Sequence, residues 1–145
     1  MNEELHNAAK VAFASEFTFY LKAQFFHWNV ECINFSQLHE LFGKIYEETY
    51  SSIDDFAEKI RSLGAYAPGS NSRFSMLSQI EDETQVLPYE QMILELLDDS
   101  NKMVTILKMT YDIAEKHGEH GFSNFLAERM DAHRKHSWML RASSK

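Results

Sequence analysis

Only five glycines and two prolines punctuate 145 residues. So few turn formers allow few chain reversals, which favours a handful of long helices over many short strands. The apolar pattern agrees. Leu38, Phe42, Ile45, Thr49, Ser52, Phe56, Ile60 and Leu63 recur at alternating four- and three-residue steps, the spacing of one helix face. That second helix is expected to begin near Asn34 or Ser36, both good N-caps, and to end near Gly64. A first helix is expected from about Glu4 to Val30. Its Val11, Phe13, Phe17, Tyr20, Leu21, Phe25, Phe26 and Trp28 surround most of the circumference, so it must be covered on more than one side.

The stretch from Ala65 to Leu87 is a long connection with Pro68, Gly69 and a Ser/Asn cluster. Within it, Arg73 to Gln79 has the pattern of a two-turn amphipathic helix. Pro88 suits the first position of a third helix. Ile93, Leu97, Val104, Leu107, Tyr111 and Ala114 form that helix's stripe, and Gly118 is its stop. A fourth helix runs from about Ser123 to Ala142, with Phe122, Phe125, Leu126, Met130, Trp138, Met139 and Leu140 as its apolar residues. The expected fold is therefore all-α, a ferritin-like four-helix bundle with a short extra helix in the long crossover between helices 2 and 3.

Composition narrows the function. The length suits one domain able to bury a substantial core. A net charge of −8 argues against generic nucleic-acid binding and is compatible with cation attraction. A single cysteine, Cys32, rules out an intrachain disulfide and favours a cytoplasmic setting. The opening MNEELHNAAK has acids and no basic-then-apolar pattern, so no secretory leader is expected. No apolar run is long enough to span a membrane.

A second stripe on the second helix holds the candidate chemistry: His39, Gly43, Tyr46, Tyr50, Asp54 and Glu58. Asp54 and Glu58, four apart, share a face. His39 stands fifteen residues before Asp54, roughly 22 Å away at helical rise. His27, on the first helix, is brought level with His39 by a turn around residues 31–35. Two imidazoles thus cluster at one end of a helical hairpin and two carboxylates lie far down its second arm. A partner packed antiparallel about a two-fold axis would set its carboxylates beside these imidazoles. Two nitrogens and two carboxylates suit Fe(II), Zn(II) or Mn(II), and the lack of a thiolate disfavours a copper electron-transfer centre.

Each residue alone has a plainer reading. A single histidine on an apolar helix is commonly a hydrogen-bonded packing residue, and an Asp/Glu pair four apart is commonly a solvated face. It is the joint spacing that points to metal. His133 and His136, three apart beside Asp131, are assigned a structural role. His117, Glu119 and His120 surround a helix-ending turn. The Glu-x-x-His pair of ordinary di-iron bundles occurs only at Glu3–His6, which excludes a usual ferritin or bacterioferritin site. No Ser/His/Asp motif and no phosphate-cradling glycine loop is present.

The segments YLKAQFFHWNV, NFSQLHELF and DDFAEKIRSLG resemble the Dps family, the miniferritins. The order His-Trp, Leu-His twelve residues on, Asp fifteen further and Glu four beyond is similar to that family's ferroxidase ligands, and HRKHSWMLRA resembles its last helix. The resemblance covers roughly Tyr20 to Ala142 and implies that residues 1–145 form one Dps-type domain. It implies a dodecamer enclosing a cavity, with di-iron sites at dimer interfaces as the cofactor-bearing centres. In such a site His27 and His39 come from one subunit, Asp54 and Glu58 from the other. The implied activity is that of a ferroxidase, oxidising Fe(II), preferably with hydrogen peroxide, storing ferric oxide and protecting against oxidative stress. Trp28 could donate an electron to a stray oxidant or simply pack at an interface.

The chain also departs from the family. Cys32 and Gly43 stand where many relatives carry a glycine and an acid, and Glu119, His120 and Asn124 stand where relatives often line an iron-entry pore with acids. The lysine-rich tail through which many relatives bind DNA is not expected here, because the first basic residue is Lys10. DNA binding is expected to be weak or absent. Two rival functions remain: a non-enzymatic DNA-compacting cage, and a cage binding a redox-silent metal such as Zn(II).

Overall fold

The structure, a computed structural model, describes residues 2–145. Helix α1 spans Glu3–Asn29, with the Asn2 side chain accepting from the Leu5 N–H and Glu3 and Glu4 in the first turn, where acids complement the helix dipole. A tight turn leads into α2, Phe35–Ser51, followed by α3, Ile53–Ser62. The long connection holds α4, Asn71–Leu77, capped by the Ser70 side chain. Helix α5, Tyr89–Lys116, and α6, His120–Ser143, form the second hairpin. The pairs α1–α2 and α5–α6 pack along their lengths, and α1 lies against α5. The bundle and its crossover are as expected from the apolar pattern.

The second helix differs from expectation because it is not continuous. It bends at Ser52, whose N–H bonds to the Thr49 carbonyl rather than continuing the regular ladder. Ser51, Ser52 and Thr49 turn their hydroxyls back onto the carbonyls of Glu48, Thr49 and Ile45 at 2.6, 2.7 and 2.9 Å. Such back-bonding competes with the helix ladder and bends it. The core stripe survives the bend: Leu38, Phe42, Ile45, Thr49, Ser52, Phe56 and Ile60 are all buried, while Leu63 is half-buried.

Other boundaries shift slightly. Pro88 is the N-cap of α5 rather than its first residue. The short helix lies two residues earlier than expected and seats Phe74 flat on Phe17, centroids 4.3 Å apart. Helix α6 begins at His120, before Ser123, because the Glu119 carbonyl already receives both the N–H and the hydroxyl of Ser123. The stripe of α5 is also displaced. Its buried apolar residues are Met92, Ile93, Leu96, Met103, Ile106, Leu107 and Ala114, beside the buried polar Asp99, Ser100 and Thr110, with Leu97, Val104 and Tyr111 only half-buried. Gly118, at φ 74°, takes the left-handed turn that ends α5.

Charged groups occupy the middle of the bundle. Glu16 of α1 is fully buried between Arg129 and His133 of α6. Arg129 also reaches Glu48 of α2 at 2.5 and 3.1 Å, and His136 contacts the same carboxylate at 3.3 Å. His133 and His136 are therefore structural, as expected. Lys22 of α1 is buried against Asp99 and Glu95 of α5 at 2.7 and 2.8 Å. Burial alone would raise the Glu16 carboxyl, but the charges and hydrogen bonds of His133 and Arg129 outweigh it and hold it at about 2. Burial likewise opposes Glu48, which His136 and Arg129 bring to about 2. Burial also pushes the His136 imidazole below its ordinary value.

Both carboxyls titrate below their ordinary 4.5, so the unfolded chain binds more protons than the folded one in that window. Their contribution is complete above pH 4.5 and lost as pH falls toward 2, while protonation of His136 also opposes folding below its ordinary 6.5. Acid unfolding followed by circular dichroism should show that loss. Glu16→Ala should destabilise the chain by about 3–5 kcal/mol in denaturant unfolding at fixed protein concentration, because it strips His133 of its carboxylate and leaves Arg129 with Glu48 alone.

Candidate metal centre

The turn between α1 and α2 positions the imidazoles. Val30 takes an extended conformation after the last turn of α1, and the Phe35 N–H closes the turn onto the Cys32 carbonyl at 3.1 Å. His27, in the last turn of α1, then faces His39, in the second turn of α2. Their rings stack with centroids 3.8 Å apart and planes 14° from parallel. His27 Nδ1 lies 2.6 Å from the His39 carbonyl oxygen, and His39 Nδ1 lies 2.7 Å from the His27 carbonyl oxygen.

Those two contacts decide the tautomers. A carbonyl can only accept, so each Nδ1 carries the proton and donates. A neutral ring then has a bare lone pair on Nε2. Among the described residues neither Nε2 has a hydrogen-bond partner. Imidazoles that bind metal through one nitrogen usually donate the other N–H to a carbonyl or carboxylate, which fixes ring and tautomer. Both histidines are prepared in this way. Phe35 stacks on His39 at 5.0 Å, and Tyr46 lies 5.1 Å from His27, so apolar rings flank the pair. Trp28 is 60% exposed.

Asp54 and Glu58 stand on α3, beyond the bend, and both are exposed. They interact with each other: the charge of Asp54, and a hydrogen bond to it, raise the Glu58 carboxyl above its ordinary value. Within one chain the structure does not bring these carboxylates to the imidazoles. Among the described residues no group of three or more His, Cys, Asp or Glu side chains is placed to hold a metal. The residues expected at the site thus form two pairs, each assembled, lying apart on one hairpin. The donor types fit a first-row divalent ion.

Elsewhere, His117 contacts Glu4 at 3.2 Å and His120 contacts Glu115 at 2.5 Å, so these histidines pair with acids around the α5–α6 turn. Cys32 is free and half-buried. Sequence reasoning missed the buried roles of Glu16, Lys22, Asp99 and Arg129. The available signal was their interruption of otherwise apolar helix faces. No described helix is long and apolar enough to cross a membrane.

The ferritin-like domain family matches residues 7–144. The DNA protection during starvation protein of Brevibacillus brevis is 30% identical over 123 residues, covering 85% of this chain and 83% of that protein. The chain belongs to the Dps family of ferritin-like proteins. Among solved structures, a Dps protein from Bacillus brevis superposes with a TM-score of 0.95 at 26% identity, covering all of both chains. A Vibrio cholerae O1 Dps protein, described as a member of a broad superfamily of ferritin-like diiron-carboxylate proteins, gives 0.93 at 27% identity and covers 99% of this chain and 90% of that one. The Dps fold accounts for the crossover helix α4 and the bent second helix.

Neutron diffraction on deuterated, metal-free crystals should place deuterium on Nδ1 of both His27 and His39. A ring with deuterium on Nε2 and none on Nδ1 would contradict the assigned donor.

Proposed function

We propose that this Dps-family chain is an oligomeric ferroxidase and iron-storage protein whose sites form between subunits. His27 and His39 of one subunit meet Asp54 and Glu58 of the other. The observation that carries this reading is the reciprocal pair of Nδ1–carbonyl contacts at 2.6 and 2.7 Å, which leaves the Nε2 of each stacked ring bare. The description of the Vibrio cholerae relative as a diiron-carboxylate protein supports iron as the metal. Ferrous ion is here the substrate and ferric oxide the stored product.

The residues divide the work by donor type. Neutral imidazoles, their tautomers set by the hairpin, hold the incoming ferrous ion. Hard anionic carboxylates prefer the ferric state and so assist oxidation. The mutual repulsion that raises Glu58 beside Asp54 is relieved when a cation sits between them. With hydrogen peroxide, the preferred oxidant in this reading, two ferrous ions supply one electron each and the O–O bond breaks. No electron is left to make a hydroxyl radical, so iron uptake also protects against oxidative stress. A dodecameric cage in the cytoplasm completes the proposal.

The relatives' names invoke DNA protection, but a chain with a net charge of −8, repeated around a cage, repels the phosphate backbone. DNA binding should be weak or absent at physiological salt. A mobility shift that persists there would favour the DNA-compacting alternative.

Mixing tests the shared site directly. His27→Ala/His39→Ala and Asp54→Ala/Glu58→Ala should each oxidise anaerobically loaded Fe(II) far more slowly than the parent when peroxide is added. Dissociated, mixed and reassembled, they should recover about a quarter of parental activity, because half the two-fold pairs are mixed and each mixed pair has one intact site. No recovery on mixing would mean that the four residues do not combine across subunits. Undiminished oxidation by the double-histidine variant would end the ferroxidase reading.

A further inference from the structure

Two carboxylates and two imidazoles converge around a single guanidinium in the middle of the bundle. Glu16 of α1 accepts from Arg129 Nε at 3.2 Å, and Glu48 of α2 accepts from Nη1 and Nη2 at 2.5 and 3.1 Å. His133 Nε2 bonds the second oxygen of Glu16, and His136 Nε2 stands 3.3 Å from Glu48. Phe19 covers both rings, edge-on to His133 and stacked on His136. Glu16, Arg129, His133 and His136 are buried, while the Glu48 side chain is 40% exposed. Acids on two helices beside histidines on a third are the donor types of a metal centre built inside a four-helix bundle. The sequence conceals this set, because no Glu-x-x-His motif joins it and its members lie far apart in the chain.

The guanidinium occupies the place that an ion would take. Although burial opposes their ionisation, Glu16 and Glu48 are both held at about 2, the first by His133 and Arg129, the second by His136 and Arg129. Buried carboxylates so placed need a cation between them. Arg129 supplies one that keeps its proton and whose planar fork bonds both acids at once. Among the described residues no three metal-binding side chains are placed to share an ion, and in this cluster Arg129 stands between them.

The rings show which donors an ion would find. Their Nδ1 atoms lie 3.4 Å apart, a contact that takes one proton. A carboxylate only accepts, so His133 Nε2 donates to Glu16. In a neutral pair, His133 Nδ1 then accepts from the His136 Nδ1–H, and His136 Nε2 keeps its lone pair toward Glu48. His136 would bind the ion and His133 would orient it, as supporting groups do for metal-bound imidazoles. Glu16, Glu48 and His136 make three protein ligands, and solvent reaching Glu48 would complete a four-coordinate site.

We propose that Arg129 stands in for a metal ion and closes a buried divalent-cation site formed by Glu16, Glu48 and His136. Its guanidinium keeps the bundle centre free of metal in the native chain, and its removal opens that centre. The inference is independent of the interface reading, since none of these residues belongs to it.

Anaerobic Co(II) titration of the assembled protein, followed by calorimetry and visible absorption, tests this in a His27→Ala/His39→Ala background. Adding Arg129→Ala should create one tight Co(II) site per chain with an intense visible band. A folded R129A protein that binds no more Co(II) than the background would overturn the proposal. Arg129→Lys keeps a positive charge at the centre and should create no site, whereas binding as tight as in R129A would refute the stand-in role. His136→Ala added to R129A should abolish the band, and a band that survives it would place the ion elsewhere and defeat the assignment. His133→Ala should weaken Co(II) binding by about 10- to 100-fold, the usual effect of losing a ligand's support.

R129A leaves two buried carboxylates uncompensated, so its metal-free form should be less stable than the background. Zn(II) should then raise its thermal midpoint by more than it raises that of the background. A variant that stays unfolded with Zn(II) or Co(II) present would equally count against the proposal.

Discussion

The reciprocal contact between His27 and His39 is the constraint on which the candidate site depends. Each ring donates to the backbone of the other's helix. His27 lies in the last turn of α1, where carbonyls lack partners along the helix, and the His39 ring supplies one. The bonds that tie α1 to α2 beside the turn thus also set both tautomers. Folding of the hairpin thus also orients both imidazoles, since each ring's acceptor belongs to the other helix.

The buried charges hold that hairpin in register with the rest of the bundle. Glu16 and Glu48 extend from α1 and α2 to Arg129, His133 and His136 on α6, and Lys22 ties α1 to α5 through Asp99 and Glu95. Buried ion pairs are weak evidence of net stability, since desolvation offsets much of their attraction. Their geometry is directional, however, and an apolar core alone would let helices slide or rotate at small cost. The two clusters penalise such slippage, because a shift would leave a charge unpaired inside the protein.

The fold was legible where periodicity was strong. The α2–α3 stripe from Leu38 to Ile60 is buried as its spacing indicated, and Gly118 ends α5 as its chemistry suggested. Legibility failed where side chains compete with the helix ladder or where two faces are both apolar. Thr49, Ser51 and Ser52 bend the second helix through local hydroxyl bonds that a hydrophobic pattern does not register. On α5, Leu97, Val104 and Tyr111 looked like core but are only half-buried, because residues one position away on the helix turn inward instead. Of the site, the acidic pair could be read from spacing, since an i, i+4 pair shares a helix face whatever surrounds it, and the imidazole pair from the short turn that sets α2 against α1.

By itself the sequence determined a helical bundle, the hairpin that brings His27 level with His39, and the acidic pair at Asp54 and Glu58. These follow from local periodicity and from the scarcity of turn formers. Only the tertiary structure decided which imidazole nitrogen is free, that Gly43 lies under the His27 ring, and that Arg129 fills the space between Glu16 and Glu48. Those outcomes depend on ångström-scale approach between segments distant in the chain. Residue spacing specifies which face a side chain shares, but not which atom it will touch.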